Sequence, residues 1–271
     1  MAYPTIDAPY GFKPVNLIGG QVFSGSTRNL PIAYNYNTNI FYGDFVQLSS
    51  GYVTILANPI AGAAAVGVFL GCYYTNPSTK QRLFSQYYPA NTLAGDITAI
   101  VCDDPDTVFK AAVVTAAGTA TIASASSILV GQNMAGNTTT GSTSTGNSAG
   151  GVIGASTSAG NFRVLNLVPD TQVSTPATYV SGGAPAATSV VVSGLPIGLV
   201  IPIGTDLFNV VGGQLQFTGA TVSTAATVTT TGNTTLTVTS IGTQVAGTVA
   251  LVQTPEVLIK VTFGSHRYYV A

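Results

Sequence analysis

Few residues of this chain could do chemistry, and they sit close together only once. Asp103, Asp104 and Asp106 place three carboxylates within four positions, after Cys102 and around Pro105. Such a cluster can hold a Ca²⁺ with the help of backbone carbonyls, or divide general acid and base work between two carboxyls. It can equally be a solvated turn or a subunit contact, since Asp-Pro initiates turns and Asp caps local backbone. The turn or contact is the preferred reading, because neither an aromatic sugar platform nor a second carboxylate pair accompanies the cluster. The sole histidine, His266, follows Ser265. Neighbouring strand residues point to opposite faces, so the two do not form a nucleophile–base pair. Cys72 and Cys102 are 30 positions apart, which is not zinc-ligand spacing. The residues before Lys13, Lys80, Lys110 and Lys260 are Phe12, Thr79, Phe109 and Ile259, so no phosphate-binding Gly-Lys loop is present. The expectation is a protein that is not an enzyme, with no metal and no cofactor.

The elements that would position these groups read as strands. Short alternating runs lie between turn residues. Val210-Val211, Gly212-Gly213 and Gln214 to Phe217 predict a hairpin with a two-residue loop. Thr234 to Thr239 puts Leu236 and Val238 on one face and threonines on the other, with Gly232-Asn233 as its turn. Val257, Ile259, Val261 and Phe263 alternate with Leu258, Lys260 and Thr262, and Gly264-Ser265 turns the chain into a strand from His266 to Val270. Lys110 to Val130 is rich in Ala, but its Thr, Ser and Gly118 argue for strands. Asn137 to Gly160 reads either as a flexible loop or as one ordered along another subunit's edge. Thr175 to Ala187, with two prolines and two glycines, reads as a linker. The resulting fold class is all-β: a barrel- or sandwich-like domain of residues 1–170 plus 254–271, with a small Thr/Gly-rich β-domain of residues 171–253 inserted.

Composition narrows the function. Only 17 of the 271 residues are charged (8 basic, 9 acidic), while Thr reaches 38. A net charge of −1 gives no basic footprint for nucleic acid. The most apolar stretches, Ile60 to Cys72 and Val190 to Ile203, are interrupted and shorter than a spanning helix needs, so no membrane partner is expected. Met1 to Tyr10 has no apolar core of a signal peptide, which makes buried free thiols the expected state of the cysteines. So uncharged a surface suits a chain covered by neighbours. Tyrosines concentrate in the first half, and tyrosine serves both cores and interfaces. Tyr34, Tyr36 and Tyr42 are candidate interface residues. So are Tyr74 and Tyr88, as outward members of the doublets Tyr73-Tyr74 and Tyr87-Tyr88. Asp103, Asp104 and Asp106 complete the set.

Several stretches resemble a known family. Ala8-Pro9-Tyr10-Gly11-Phe12-Lys13-Pro14, Ile32 to Tyr42 with Gly43-Asp44-Phe45-Val46, and Val66 to Cys72 are similar to small virion structural proteins of tailed bacteriophages, of the marine and cyanobacterial phage type. So are Ser85 to Pro89, Asp103 to Asp106 with Phe109, and the Gly141-to-Gly146 stretch leading to Arg163-Val164-Leu165. The resemblance covers roughly residues 5–168 and the last strands, and its shorter members appear without the 171–252 block. It implies a capsid decoration, or cement, protein without enzymatic activity, made in the host cytoplasm and placed on the outer surface of the capsid. Its partners would be the major capsid protein and further copies of itself. A trimer is attractive around local symmetry axes, although no residue selects three copies over two or six. The alternative is a tail or fibre component, an adhesin whose Thr-rich block binds a host surface polysaccharide. A third reading, a hydrolase using Asp103–Asp106, stands well behind both.

Overall fold

The computed structural model describes residues 6–56, 65–156 and 160–262. His266, the Gly264-Ser265 turn and the strand expected after it lie outside the described residues. The molecule is all-β, with 49% strand and 2% helix, as the β-branched, turn-punctuated sequence requires. In chain order the strands are β1 (Lys13–Leu17), β2 (Arg28–Pro31), β3 (Phe45–Ser49), β4 (Tyr52–Ile55), β5 (Gly67–Thr75), β6 (Arg82–Ser85), β7 (Thr98–Cys102), β8 (Thr107–Val114), β9 (Asn133–Asn137) and β10 (Gly151–Ser156). They continue as β11 (Phe162–Leu167), β12 (Val173–Gly182), β13 (Ser189–Ser193), β14 (Val200–Ile201), β15 (Asp206–Val211), β16 (Gln214–Thr221), β17 (Ala226–Thr227), β18 (Thr234–Thr237), β19 (Thr248–Gln253) and β20 (Glu256–Val261). No helix among the described residues is long and apolar enough to cross a membrane.

The chain divides into two compact units. The aromatic-rich unit comprises Ala8–Thr121, Gly131–Asn166 and Leu258–Ala271. In it β8, β10, β9, β11 and β20 pair in that order and β20 returns to β8, closing a five-stranded barrel, with β1 antiparallel along β8. Closure leaves these strands without a free edge. Alternation sorts their side chains: Phe162 and Val164 are buried on either side of exposed Arg163, and Val257, Ile259 and Val261 are buried around Leu258 and Lys260. Phe12, Phe45, Phe109 and Phe162 form one aromatic cluster. The Phe45 ring lies 4.7 Å from Phe12, 4.7 Å from Phe162 and 6.0 Å from Phe109, centroid to centroid.

A second sheet in this unit runs β2-β7-β5-β3-β4, with β6 on β5. Its core holds Ile40, Val46, Phe69, Tyr88 and Val101. Cys102 stands opposite Val68 and Cys72 opposite Ala99. The two sulfurs' residues are therefore about four positions apart along the sheet, roughly 13 Å at ~3.3 Å per residue, outside disulfide reach. Both are free and buried.

Three expectations are corrected in detail. The segment Thr175 to Ala187 is not a linker: its first eight residues belong to the ten-residue strand β12, flanked by β19 and β13. Pro176 is tolerated because pairing with β13 begins only at Thr178, so the missing N–H breaks no ladder on that side. Gly232-Asn233 joins no hairpin, since β18 pairs with β13 and β17 with β14. The Gly/Ser/Thr stretch after Asn137 is ordered by its own chain. Tyr42 pairs with Asn147, Gly146 N–H bonds Ser142 O at 2.7 Å, and Thr139 Oγ1 donates to Ala149 O at 2.5 Å. Gly141 permits the approach: a Cβ there would stand 2.6 Å from the Phe41 ring.

The other unit comprises Met1–Asp7, Ile122–Val130 and Leu167–Val257. Its sheet runs β16-β15-β19-β12-β13-β18, and β14 and β17 form a small second sheet. Val190, Val192, Leu207, Leu236, Val249 and Leu251 are among its buried core. Threonine hydroxyls replace charge as the internal glue: Thr218 Oγ1 donates to Leu207 O at 2.7 Å and Thr205 Oγ1 to Pro202 O at 2.8 Å. The Gly212-Gly213 hairpin forms as read, with Val211 opposite Gln214. Gly212 and Gly213 have φ of +57° and +79°, the left-handed pair of a type I′ turn. Gly212→Val is expected to cost about 1–2 kcal/mol. Gly212→Asn, which tolerates this conformation, should leave the urea midpoint almost unchanged, and equal midpoints for the two variants would refute the strain argument.

Candidate interaction surface

The Asp-Pro segment joins β7 to β8, and the structure separates its three carboxylates. Asp103, almost buried, pairs with Arg28 of β2. Asp104 Oδ1 accepts the Asp106 N–H at 2.8 Å, an Asx turn. Asp106 Oδ1 accepts from Lys260 Nζ of β20 at 2.6 Å. Among the described residues no three His, Cys, Asp or Glu side chains gather into a metal-holding group. The cluster is therefore a turn braced by two cations from distant strands, and the carboxylates do not converge on one point as Ca²⁺ ligation requires.

Asp106 and Lys260 also border a cleft of about 340 Å³ on the barrel, lined further by Ile18, Pro105, Asn133, Arg163 and Leu165. Arg163 Nε donates to Asn133 Oδ1 at 3.0 Å. Sequence reasoning missed these cations. Their signal is scarcity: Arg28 is the one charge of β2, and Lys260 shares β20 with Glu256 alone. A second cleft, about 530 Å³, is lined by Thr38, Asn39, Phe41, Ile55, Gly118 and Thr138 to Thr140.

The five candidate tyrosines are not brought together. Tyr34 is 63% exposed. Tyr36 is half-buried: its hydroxyl accepts the Ile55 N–H at 3.2 Å and its ring lies 6.0 Å from Tyr88. Tyr42 is half-buried, and burial first, then the nearby Cys102 sulfur, raises its phenol. Tyr74 packs partly against the sheet core. Tyr88 is corrected: it has no exposed surface, and its hydroxyl donates to Tyr36 O at 3.0 Å. The reason is that the chain turns inward after β6, leaving its neighbour Tyr87 to stack on Phe41 at 5.5 Å. The surface instead presents apolar residues that were not singled out. Phe84 of β6 is 67% exposed and Leu93 54%. Leu93 and Tyr34 flank a backbone pairing in which Asn35 N–H bonds Thr92 O and Asn91 N–H bonds Tyr36 O.

The remaining titratable groups are set by burial. Desolvation pushes the Cys72 thiol up to about 12 and Cys102 to about 11, so neither is a nucleophile at neutral pH. Asp44, 2% exposed, is pushed up to about 6 by burial, against hydrogen bonds from Ser148 and the Phe41 N–H. Asp206 is raised by burial as well, opposed by hydrogen bonds from Ser126 and Ser127. Compared with family models, with curated proteins and with solved structures, the chain matches none.

Proposed function

We propose that this chain is a structural protein of a tailed-phage virion, a capsid decoration protein without enzymatic activity, whose aromatic-rich unit seats on the major capsid protein and clamps neighbouring subunits. The observation that carries the reading is the set of large apolar side chains that unit leaves exposed, with Tyr34, Phe84 and Leu93 each more than half exposed. Exposed aromatics are the anchors on which interfaces depend. The near-absence of charge supports it too, because many copies can crowd a shell without like-charge repulsion. The resemblance of residues 5–168 to small phage virion proteins points the same way.

The test is addition of purified protein to expanded heads assembled without it. Binding with a raised capsid melting temperature is expected, and Tyr34→Ala with Phe84→Ala should weaken binding by about 30-fold or more, the effect of losing about 2 kcal/mol at an anchor. Heads whose melting is unchanged would overturn the proposal. A label on residues 188–252 seen by electron microscopy only on the tail would do so in favour of the fibre reading.

A further inference from the structure

Arg163 borders an apolar cleft with its charge unmatched. It lies on β11 directly opposite Asn133 of β9, and its Nε donates to Asn133 Oδ1 at 3.0 Å. That bond fixes the plane of the guanidinium and leaves its outer Nη edge for a further acceptor. Other cations of the chain are engaged internally. Arg28 pairs with Asp103 and Lys260 with Asp106, while Lys13 and Arg82 lie over the rings of Tyr10 and Tyr73. Arg163 meets a neutral amide instead.

The cleft beside it, about 340 Å³, falls within the size range of small-ligand sites. It lies over three adjacent strands, β9, β11 and β20. Leu165 follows Arg163 by two positions on β11 and so shares its face. Ile18 and Pro105 also line the cleft. Ile18, 48% exposed, is tied to the Asp-Pro turn by its N–H, which bonds Asp106 O at 2.9 Å. Asp106, held by Lys260, adds a carboxylate to the lining. Apolar walls, one unmatched cation and one ion pair are thus gathered in one place.

We infer that this cleft binds a small amphiphilic monoanion, a free carboxylate on an aliphatic or aryl-alkyl body. The carboxylate bonds end-on to the Nη edge of Arg163 through two parallel N–H···O bonds, the geometry a planar guanidinium offers. The body lies on Leu165, Ile18 and Pro105 and takes their apolar surface out of water. Charge sets the selectivity. Arg163, Lys260 and Asp106 sum to a single positive charge, which complements one negative charge and not two. A dianionic phosphate monoester on the same body therefore gains nothing over the carboxylate. The site rests on the barrel's outer face and not on the virion reading.

Titration of the full chain with para-fluorophenylbutyrate, followed by the fluorine resonance of the probe, tests it. With about a dozen non-hydrogen atoms, the probe is expected to bind with a Kd of about 1 mM or tighter. Arg163→Gln can still donate to Asn133 but carries no charge, and should weaken binding about ten-fold or more. The neutral para-fluorophenylbutanamide should bind the parent more weakly by a similar factor. Leu165→Glu sets a carboxylate on the face of Arg163 and should abolish binding by pairing with it. Neither position is in the core, and an unchanged circular dichroism spectrum would show that the fold is kept. Three outcomes would each overturn the proposal: no binding at about ten times the expected Kd, binding indifferent to Arg163→Gln, or an amide that binds as well as the acid. Because the assay contains no capsid, any of them would leave the decoration proposal standing.

Discussion

Phe45→Ala is expected to destabilise the aromatic-rich unit by about 3–5 kcal/mol, the range for deleting a buried phenylalanine. The ring is 1% exposed and touches Phe12, Phe109 and Phe162 at once. These three come from the segment before β1, from β8 and from β11, so one side chain links three separate stretches. The void left by alanine cannot close by moving one loop, because Phe109 and Phe162 sit on strands held in a closed barrel. Phe45→Leu, which restores most of the volume, should cost less than half as much. Tyrosine fluorescence during urea unfolding is the measurement. The chain has no Trp, and all described tyrosines except Tyr179 lie in this unit. A loss under 1 kcal/mol for Phe45→Ala would show that the cluster is not a stabilising centre.

The same cluster marks where sequence reading stops. The strands were legible because their information is local. Val, Thr and the Gly212-Gly213 turn specify a hairpin without reference to the rest of the chain, and the alternation of Val257 to Val261 shows which face is buried. The barrel's closure was not legible. It depends on β20 meeting β8 across about 150 residues, and nothing in either strand names its partner. β12 was misread because Pro and Gly were weighed as breakers, whereas a strand with one free side tolerates them. Tyr88 was misread because a doublet fixes that two rings diverge but not which of them turns inward. The Asp103–Asp106 turn was legible as a turn. Its partners Arg28 and Lys260 come from strands 75 and 154 positions away, and only the folded sheet brings them there.

Folding stability should fall by about 3 kcal/mol between pH 4 and pH 7, and Asp44 should be the main cause. Its carboxyl is raised from the ordinary 3.8 to about 6 by burial, and two pH units correspond to about 3 kcal/mol. The sign follows from proton binding. Between these values the native chain keeps a proton that the unfolded chain has released, so raising the pH favours unfolding. The contribution is fully present below pH 4 and lost above pH 6. Asp206, also raised by burial, acts in the same direction. The exposed Asp96, lowered by hydrogen bonds from Thr75, acts in the opposite one. With 9 acidic residues in the whole chain, one buried carboxyl is not lost among many titrations. Asp44→Asn should flatten the profile, because its amide oxygen can still accept the Phe41 N–H that now bonds Asp44 Oδ2 at 2.8 Å. The variant is expected to be more stable than the parent at pH 7.5 and equal to it at pH 4. The residue also sits between Tyr42, which pairs with Asn147, and Ser148. Its ionisation should therefore be felt first in the loop after β9, as a fall in the protection of the Tyr42 and Ser148 amides, relative to their intrinsic exchange at each pH, above pH 6 in the parent but not in Asp44→Asn. A parent and variant with parallel pH profiles would show that Asp44 keeps its ordinary titration in the folded chain.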